Sequence, residues 1–439
     1  MMRRWLIGLA PLVITACAST GSIPNRQTVA DGLRERIGAD AGGFPINTQP
    51  SLPAGVTIDD GLSAGEAVSI ALWNNPGFQV TLADLGFARA DLVEARQLRN
   101  PILSLLLPWG PKQFEATLQL PIEAIWQRPR RIKVANLNAE SLGARLMSDG
   151  LGLVSMTRNA YVDASAADAR LRLAQEVADV WGSLRKITEA RLREGDISEL
   201  EARSVRSEAA MAAAAARGAE GDRDVATIHL DATLGYSIGA AGLTSIDDLA
   251  IASCDTTEKL MTDALASRPD VRAAELAVEA AGALAGLERS RVLNLVAVTL
   301  DANGEGREGF ELGPGLNLDL PINRNAGPRA RAAATLEQAA RRYVAVRVNV
   351  QAELRAAAAR VARAREVLRI WDEDVIETLQ IERQQSEKAY QAGEVPLFSV
   401  LDTARRLVTA RRSRLDARAE VLHAAIALDR AIGRSCAFP

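Results

Sequence analysis

The chain has 439 residues, a hydrophobic content of 48% and a formal net charge of −3 at neutral pH. Its length allows a large buried core, and its charge balance does not indicate a nucleic-acid-binding protein. Aromatic residues make up only 4% of the chain, which favours long packed helices over a β-sandwich or a doubly wound α/β fold. Two histidines and three widely spaced cysteines leave little material for catalysis or metal binding, so no enzyme, cofactor or metal site is predicted.

The N-terminus has the pattern of an export signal. Two arginines precede an apolar run over 5–15, which is too short to span a bilayer as a mature helix. The run ends at Cys17 in a short sequence that resembles the bacterial lipobox, so residues 1–16 are predicted to be a signal peptide and Cys17 to carry palmitate and a lipid anchor. An ordinary signal peptide with a chance cysteine is the alternative. Because Ala18 follows instead of the aspartate that retains many lipoproteins in the inner membrane, the outer membrane is indicated.

Residues 17–60 are predicted to form a lipidated tether with one short helix over 29–37. Residues 61–240 then form the first of two predicted structural repeats. Their helical pattern stops before Pro101, and two strands follow at about 102–107 and 114–120.

The second of these strands alternates in polarity as a strand between lipid and a wet lumen requires. Its apolar positions are Phe114, Ala116, Leu118 and Leu120, and its polar positions are Glu115, Thr117 and Gln119. A strand of a soluble sandwich has the same period, and that alternative stays open.

A very long helix is predicted to begin at Pro129 and to end at Gly195, followed by a return leg from about 197 to 234. The two legs form the first helical hairpin. A Gly- and Ser-rich joint at 241–260 separates this half of the chain from the next.

Residues 261–433 repeat the same plan. Arg268-Pro269 corresponds in position to Asn75-Pro76 of the first repeat. Two strands are then predicted at about 293–301 and 310–320, and a hairpin follows with its tip near Gly393. Landmarks thus recur at a spacing of about 200 residues, which indicates one duplicated unit, with a tail at 434–439.

The second hairpin carries one apolar stripe with steps of seven or four residues. The stripe consists of Leu336, Tyr343, Val350, Leu354, Val361, Leu368, Val375, Leu379, Ser386 and Tyr390. It predicts one continuous helix from about 329 to 391, and a seven-residue repeat from Leu401 to Leu422 runs back along it. A solitary coiled-coil rod is the alternative interpretation of this stretch.

Four strands in one chain cannot close a membrane barrel, and an open sheet edge is not tolerated in lipid. Several chains must therefore share one barrel, and three chains would supply twelve strands. The fold class predicted is mainly α with a small β-barrel portion, built as a trimeric tunnel.

These features resemble the TolC-type outer-membrane efflux factor family, specifically its lipoprotein branch, over about 62–433. The local markers are Ala71-Leu72-Trp73-Asn74-Asn75-Pro76, the Leu-Pro-Ile ends of two strands, Tyr390-Gln391-Ala392-Gly393 and Val400-Leu401-Asp402. The resemblance implies a homotrimer with a β-barrel in the outer membrane and an α-helical barrel in the periplasm. It also implies two partners, a periplasmic adaptor (membrane fusion) protein and an inner-membrane transporter, and no covalent chemistry.

The resemblance also implies roles for tip residues. Tyr390 stands where the family has an aromatic gate residue, Asp402 where it has an acidic lumen residue, and Glu201 near another tip acid. Ser399 replaces the acid at the equivalent place in the second repeat, and Val395 replaces a gate-locking arginine. An ordinary heptad position is the alternative for Tyr390.

The turn residues Gly195, Asp196, Gly393 and Glu394 are predicted to form the tips offered to the adaptor, because such tight breaks favour a residue that tolerates positive φ. Substrate is left open among metal cations, drugs and secreted protein. A non-channel periplasmic coiled-coil scaffold lipoprotein is the alternative function.

Three other sequence features are candidate signals of function. The sequence from Gly304 to Gly309 matches a dinucleotide-binding pattern but lies between two strands, so it is interpreted as a hairpin loop. His229 and His423 are lone histidines on helices. Cys254 and Cys436 each follow a return leg, so the duplication can bring them together in a compartment that permits disulfides, and both a bridge and two free thiols are left open.

Overall fold

The computed structural model describes residues 24–38, 44, 49–59, 61–107, 115–239, 242–291, 297–305, 309–317 and 322–438. Cys17 and the predicted signal peptide lie outside these residues, as do parts of the predicted tether and one end of each of three predicted strands. Within the described residues, no helix combines the length and the apolar character that crossing a membrane requires.

The same order of elements occurs twice along the chain. The first set is α1 Arg26–Ile37, α2 Ala64–Asn74, α3 Pro76–Arg96, β1 Ile102–Leu106, β2 Glu115–Pro121, α4 Glu123–Glu194 and α5 Glu199–Leu234. The second set is α6 Thr257–Ser267, α7 Pro269–Ser290, β3 Ala297–Glu305, β4 Gly309–Asn317, α8 Ala326–Arg369, a π-helical segment Ile370–Ile376, α9 Glu377–Gln391 and α10 Leu397–Ile432. Apart from α1, each set has two short helices, two strands and a long helical hairpin.

Local sequence chemistry sets the breaks between the short helices. Ser63 begins α2 with a capping box, in which its side chain accepts from the backbone N–H of Glu66 and the Glu66 side chain accepts from the N–H of Ser63. Asn75 ends α2 and begins α3, with Pro76 in the first position of the new helix and the Asn75 amide oxygen accepting from Phe78 N at 2.9 Å.

The four strands form one antiparallel sheet in the order β1-β2-β3-β4. Leu118 pairs with Leu103 on one side and with Leu300 on the other, so the register keeps residues of like polarity opposite one another. Gly315 lies opposite Thr299, and a Cβ at that glycine would collide with the Thr299 hydroxyl, which explains the glycine there.

Two predicted boundaries are wrong. Helix α4 begins at Glu123, so Pro129 lies inside it, and the turns around the proline are held by hydrogen bonds from Arg128 and Arg131 to the end of α3. Strand β3 continues to Glu305, because pairing with β4 extends the ladder through Gly304, and only 306–308 of the predicted loop lie between the strands. Tertiary contacts override the local signal at both places.

The helix from Ala326 to Gln391 is not uniformly α, because seven residues from Ile370 to Ile376 have π-helical geometry. In that segment Asp372 accepts from Arg414 of α10 at 2.6 Å, and Arg414 also contacts Asp247 of the joint at 2.9 Å. The π-helical segment therefore lies where the second helical hairpin contacts the joint between the two halves.

The main hydrophobic core lies away from the hairpin tips, where the two halves meet. Tyr161 of α4 is fully buried there, and its hydroxyl donates to Leu62 O at 2.5 Å and accepts from Thr244 N at 2.8 Å. Val350 and Leu354 of the predicted stripe belong to the same core. A smaller core around Trp181 and Val205 lies nearer the tips.

Candidate functional site

The sheet has one apolar and one largely polar face. Because residues opposite one another in a ladder share a face, the register assembles an apolar face from Leu103, Leu105, Ala116, Leu118, Leu120, Val298, Leu300 and Ala302. The other face carries Thr117, Gln119, Thr299 and Asp301, with Ile102 and Leu106 as apolar exceptions on the edge strand. Leu103 is 59% exposed and Leu105 is 55% exposed, so the apolar face is uncovered in the single chain.

Both outer strands of the sheet have a free edge. Among the described residues, β1 pairs only with β2, and β4 pairs only with β3. An uncovered apolar face beside two unpaired backbone edges is unstable in water, because it offers further strands a place to add. The sheet is thus incomplete as a single chain.

The first hairpin tip turns at Gly195. This glycine has φ 79°, and the backbone N–H of Asp196 donates back to Arg191 O at 3.0 Å, which satisfies a terminal carbonyl of α4. Ser198 then begins α5 with a capping box in which the Glu201 carboxylate accepts from the Ser198 N–H at 3.0 Å. Glu201 therefore caps a helix, and its lumen role stays a prediction.

The second tip turns at Gly393, which has φ 77°, and Glu394 N donates to Ala389 O at 2.9 Å. Pro396 precedes α10 where Ser198 precedes α5, so this tip has no side-chain cap. Each tip also presents a large apolar side chain to solvent. Leu200 is 78% exposed, and Phe398, at the equivalent place, is 67% exposed.

The predicted gate residues lie at this second tip. Tyr390 is 37% exposed and comes three residues before Gly393 at the end of α9. Asp402 lies on the opposite leg, where its carboxylate is 3.4 Å from Arg406 Nε, and Arg406 also pairs with Glu382 of α9. Within the described residues no hydrogen bond joins Tyr390 to Asp402, so their joint action stays a prediction.

A contact between the two hairpins was not anticipated from the sequence. Arg405 of α10 pairs with Glu208 of α5, and Leu401 packs against the core around Trp181. The two charged residues are 197 positions apart, and both lie in charge-rich helical runs, so no local pattern could have paired them. This contact links the legs of the two hairpins near their tips.

Cys254 and Cys436 are joined by a disulfide, with their Cα atoms 5.8 Å apart. The bridge fixes the C-terminal tail to the end of the joint between the two halves. The backbone supports the same arrangement, because Ala252 N donates to Ala437 O at 2.9 Å.

The two histidines have separate surroundings. His423 contacts Asp163 at 3.0 Å and Asn159 at 2.7 Å, and His229 is exposed on α5. Among the described residues no group of three or more His, Cys, Asp or Glu side chains could hold a metal ion.

Comparisons with known proteins agree with this architecture. Residues 260–434 match the family model described as outer membrane efflux protein. The chain is 25% identical over 378 residues to the cobalt-zinc-cadmium resistance protein CzcC of Cupriavidus metallidurans, covering 85% of this chain and 90% of that protein. It is 28% identical over 302 residues to the nickel-cobalt-cadmium resistance protein NccC of Alcaligenes xylosoxydans xylosoxydans, covering 65% of this chain and 67% of that protein.

Among solved structures, the Campylobacter jejuni CmeC outer membrane channel superposes with a TM-score of 0.70 at 14% identity, covering 90% of this chain and 91% of that chain. At this identity the likeness concerns the fold alone. Residues 260–434 therefore resemble the outer membrane efflux proteins, and the chain as a whole is similar in fold to a solved outer membrane channel.

Proposed function

We propose that this protein is the outer-membrane channel component of a tripartite efflux system, passing substrates from a periplasmic adaptor and an inner-membrane transporter to the exterior. The observation that carries the proposal is the four-stranded sheet with one apolar face, one largely polar face and two free edges, attached to long helical hairpins. The alternative function, a scaffold of coiled-coil rods, does not account for such a sheet.

Three chains would complete the sheet. Because four strands alternate in direction, β4 of one chain and β1 of the next would run antiparallel, so identical chains can join edge to edge and close a ring. Three chains give twelve strands, which leaves room for an aqueous channel lined by the polar face, whereas one chain cannot close at all. The function therefore rests on a homotrimer, with 61–240 and 261–433 as the two structural repeats of each chain and 241–260 as their joint.

The tips of the hairpins would dock on the adaptor. Support comes from the paired exposure of Leu200 and Phe398 beside the glycine turns at Gly195 and Gly393, since exposed apolar side chains at equivalent places on both hairpins suit a repeated docking surface. Asp196 and Glu394 would add charge to that surface. Tyr390 and Asp402 would narrow the mouth between the tips, and Glu201 would stand beside it.

Cys17 would be acylated and would tether the N-terminus to the inner leaflet of the outer membrane. The support is sequence alone, namely the lipobox-like stretch that ends at this cysteine. In the described part of the tether, α1 packs against α4, with Leu33 beside Gly150 and Pro24 beside Gly143.

We further infer that the cargo is a divalent transition-metal cation. The support is that the relatives CzcC and NccC are named for resistance to cobalt, zinc, cadmium and nickel. A duct needs no tight ligand cluster for such a cargo, because a tightly bound ion would leave the channel slowly.

Three measurements test these proposals. Native mass of the detergent-extracted protein should correspond to three chains, and planar bilayers containing it should conduct; a stable monomer without conductance would overturn the channel. Separately, deleting the gene in its host should lower the concentrations of cobalt, zinc or cadmium that stop growth. Unchanged metal tolerance together with new sensitivity to organic drugs would overturn the cargo and leave the channel intact.

A further inference from the structure

The helix-side end of the sheet is surrounded by arginines. The register sets Ile102 opposite Gln119 and Pro121 opposite Ala297. The start of β1, the end of β2 and the start of β3 therefore lie at the same end of the sheet. The chain segments that flank these points carry Arg96, Arg99, Arg128, Arg130, Arg131, Arg289 and Arg291, which we call the arginine belt. Because the whole chain has a net charge of −3, this concentration of positive charge is local.

Contacts draw part of the belt into one cluster. Arg128 Nε donates to Arg96 O at 2.7 Å, and Arg131 donates to Gln97 O at 3.0 Å, so both side chains gather at the C-terminal end of α3. Burial lowers the pKa of Arg131, the positive charges of Arg99, Arg291 and Arg128 lower it further, and the carboxylate of Glu94 offsets only part of this effect. Like charges held this close repel one another, and an anion placed among them would relieve that repulsion.

The chain's own carboxylates only partly neutralise the belt. Glu123 is 3.9 Å from Arg99, and Glu288 is 2.6 Å from Arg291. Within the described residues, however, none of Arg96, Arg128, Arg130, Arg131 and Arg289 makes an ion pair. Nε of Arg131 is also buried with no hydrogen-bond partner among these residues. The arginine belt therefore has N–H donors and positive charges that are not paired with carboxylates of the described residues.

Apolar side chains border the belt. Leu98 is 53% exposed between Arg96 and Arg99, and Ile125 and Trp126 are exposed at the start of α4. Exposed tryptophan and aliphatic residues next to arginines are the composition of a membrane interface, where apolar side chains enter the hydrocarbon and the cations meet headgroups.

We propose that the arginine belt binds the phosphates of anionic phospholipids, such as phosphatidylglycerol, in the leaflet of the outer membrane that faces the periplasm. This inference rests on the proposed function, which puts the strands in that membrane and the helices in the periplasm. The guanidinium fork matches a phosphate with two parallel hydrogen bonds, and the apolar neighbours select a phosphate that carries acyl chains. Bound lipid would fix the depth of the channel at the junction of its strands and helices.

The test uses the full-length protein in detergent, with bound lipids counted by native mass spectrometry. We expect the trimer to retain phosphatidylglycerol in preference to phosphatidylcholine. The variant Arg99→Gln/Arg130→Gln removes two exposed charges without removing a hydrogen bond, and should weaken phosphatidylglycerol retention roughly tenfold. The variant Arg128→Gln/Arg131→Gln should weaken it at least as much, with the thermal midpoint measured alongside.

The matched control is Arg217→Gln/Arg223→Gln, which removes the same charge from α5, where Arg217 and Arg223 pair with Glu220 and Asp224. This control should retain phosphatidylglycerol as the unmodified protein does. Equal retention of the two lipids, or equal loss in control and belt variants, would overturn the inference. Full displacement of phosphatidylglycerol by excess inorganic phosphate would reveal a site for free anions instead of lipid.

The same spectra report the oligomeric state. A trimer that shows no preference for phosphatidylglycerol would overturn the lipid inference and leave the proposed channel intact. A chain that never forms a trimer would count against the proposed channel, whatever lipids it carries.

Discussion

Arg158 of α4 and Asp429 of α10 form a buried ion pair, with Nη1 and Oδ2 3.2 Å apart and each side chain only 5% exposed. Asp429 also accepts from the backbone N–H groups of Cys436, Ala437 and Phe438, and Arg158 lies over the Phe438 ring at 5.3 Å. One pair thus joins a helix of the first half, a helix of the second half and the C-terminal tail.

Removal of one partner should be costly because the other is left charged and buried. We expect Arg158→Ala to lower the apparent free energy of unfolding by about 3–5 kcal/mol, measured by urea denaturation in detergent. The matched control is Arg170→Ala, which removes the exposed pair between Arg170 and Asp416 at 2.7 Å and should cost less than about 1 kcal/mol. Equal effects of the two substitutions would refute the claim that burial makes the pair important.

The disulfide between Cys254 and Cys436 closes a segment of 182 residues. Because a long closed loop restricts the unfolded chain, the variant Cys254→Ser/Cys436→Ser should lose roughly 2–5 kcal/mol of stability. A reducing agent should lower the urea midpoint of the unmodified protein and leave that of the variant unchanged. Finding both thiols free in denatured, unreduced protein would contradict the bridge.

The hydroxyl of Tyr161 connects two segments in the core, since it contacts both Leu62 O and Thr244 N. Burial raises the pKa of Tyr161, so the hydroxyl keeps its proton and can donate to the carbonyl. Tyr161→Phe leaves both backbone groups without this partner and should lower stability by about 1–3 kcal/mol. Tyr343→Phe removes a hydroxyl whose partner, Arg347, is exposed, and should have little effect. A comparable loss in both variants would show that the buried bonds add nothing.

Two nearby glycines of α4 should respond in opposite ways to alanine. A Cβ at Gly150 would come 2.6 Å from Leu33 of α1, whereas a Cβ at Gly152 meets nothing within 4 Å. Gly150→Ala should therefore loosen α1 and increase cleavage of the N-terminal segment by added protease. Gly152→Ala should stabilise α4 by up to about 1 kcal/mol, because alanine favours helix. Increased cleavage in both variants would argue against the close fit of α1 on α4.

The tip residues offer a test of gating. If Tyr390 and Asp402 narrow the periplasmic mouth, the double variant Tyr390→Phe/Asp402→Ala should conduct more in planar bilayers than the unmodified protein, because it removes the phenolic hydroxyl and the ion pair with Arg406. Glu199→Ala removes an exposed acid paired with Arg203 on the other tip and is the control. Unchanged conductance in the double variant would leave Tyr390 as an ordinary heptad residue.

Much of this protein was readable from local sequence. Glycines at 195 and 393 mark both hairpin tips, because only residues that tolerate positive φ turn so tightly after a helix. Alternation over 114–120 predicted a two-faced strand, because side chains on a strand point to opposite faces in turn, and β2 covers Glu115–Pro121. Repetition of these signals at a fixed spacing gave the duplicated plan.

Other features depended on residues that are distant in sequence. The start of α4 before Pro129 depends on hydrogen bonds to the end of α3, and the length of β3 depends on its ladder with β4. The π-helical segment at Ile370–Ile376 contains no glycine or proline, so the sequence gives no local signal for the change from α-helix.

The sequence by itself determined the long helices, the tip turns, the strand polarity and the repeat, because each depends on residues within a few positions of one another. Only the tertiary structure decided that Arg158 pairs with Asp429 and that Arg405 pairs with Glu208. It also decided that the arginines next to the strands gather at one end of the sheet. Local periodicity fixes which face of a helix or strand is apolar. It does not say which distant charge will lie opposite that helix once the chain has folded, because that is set by how the long helices align.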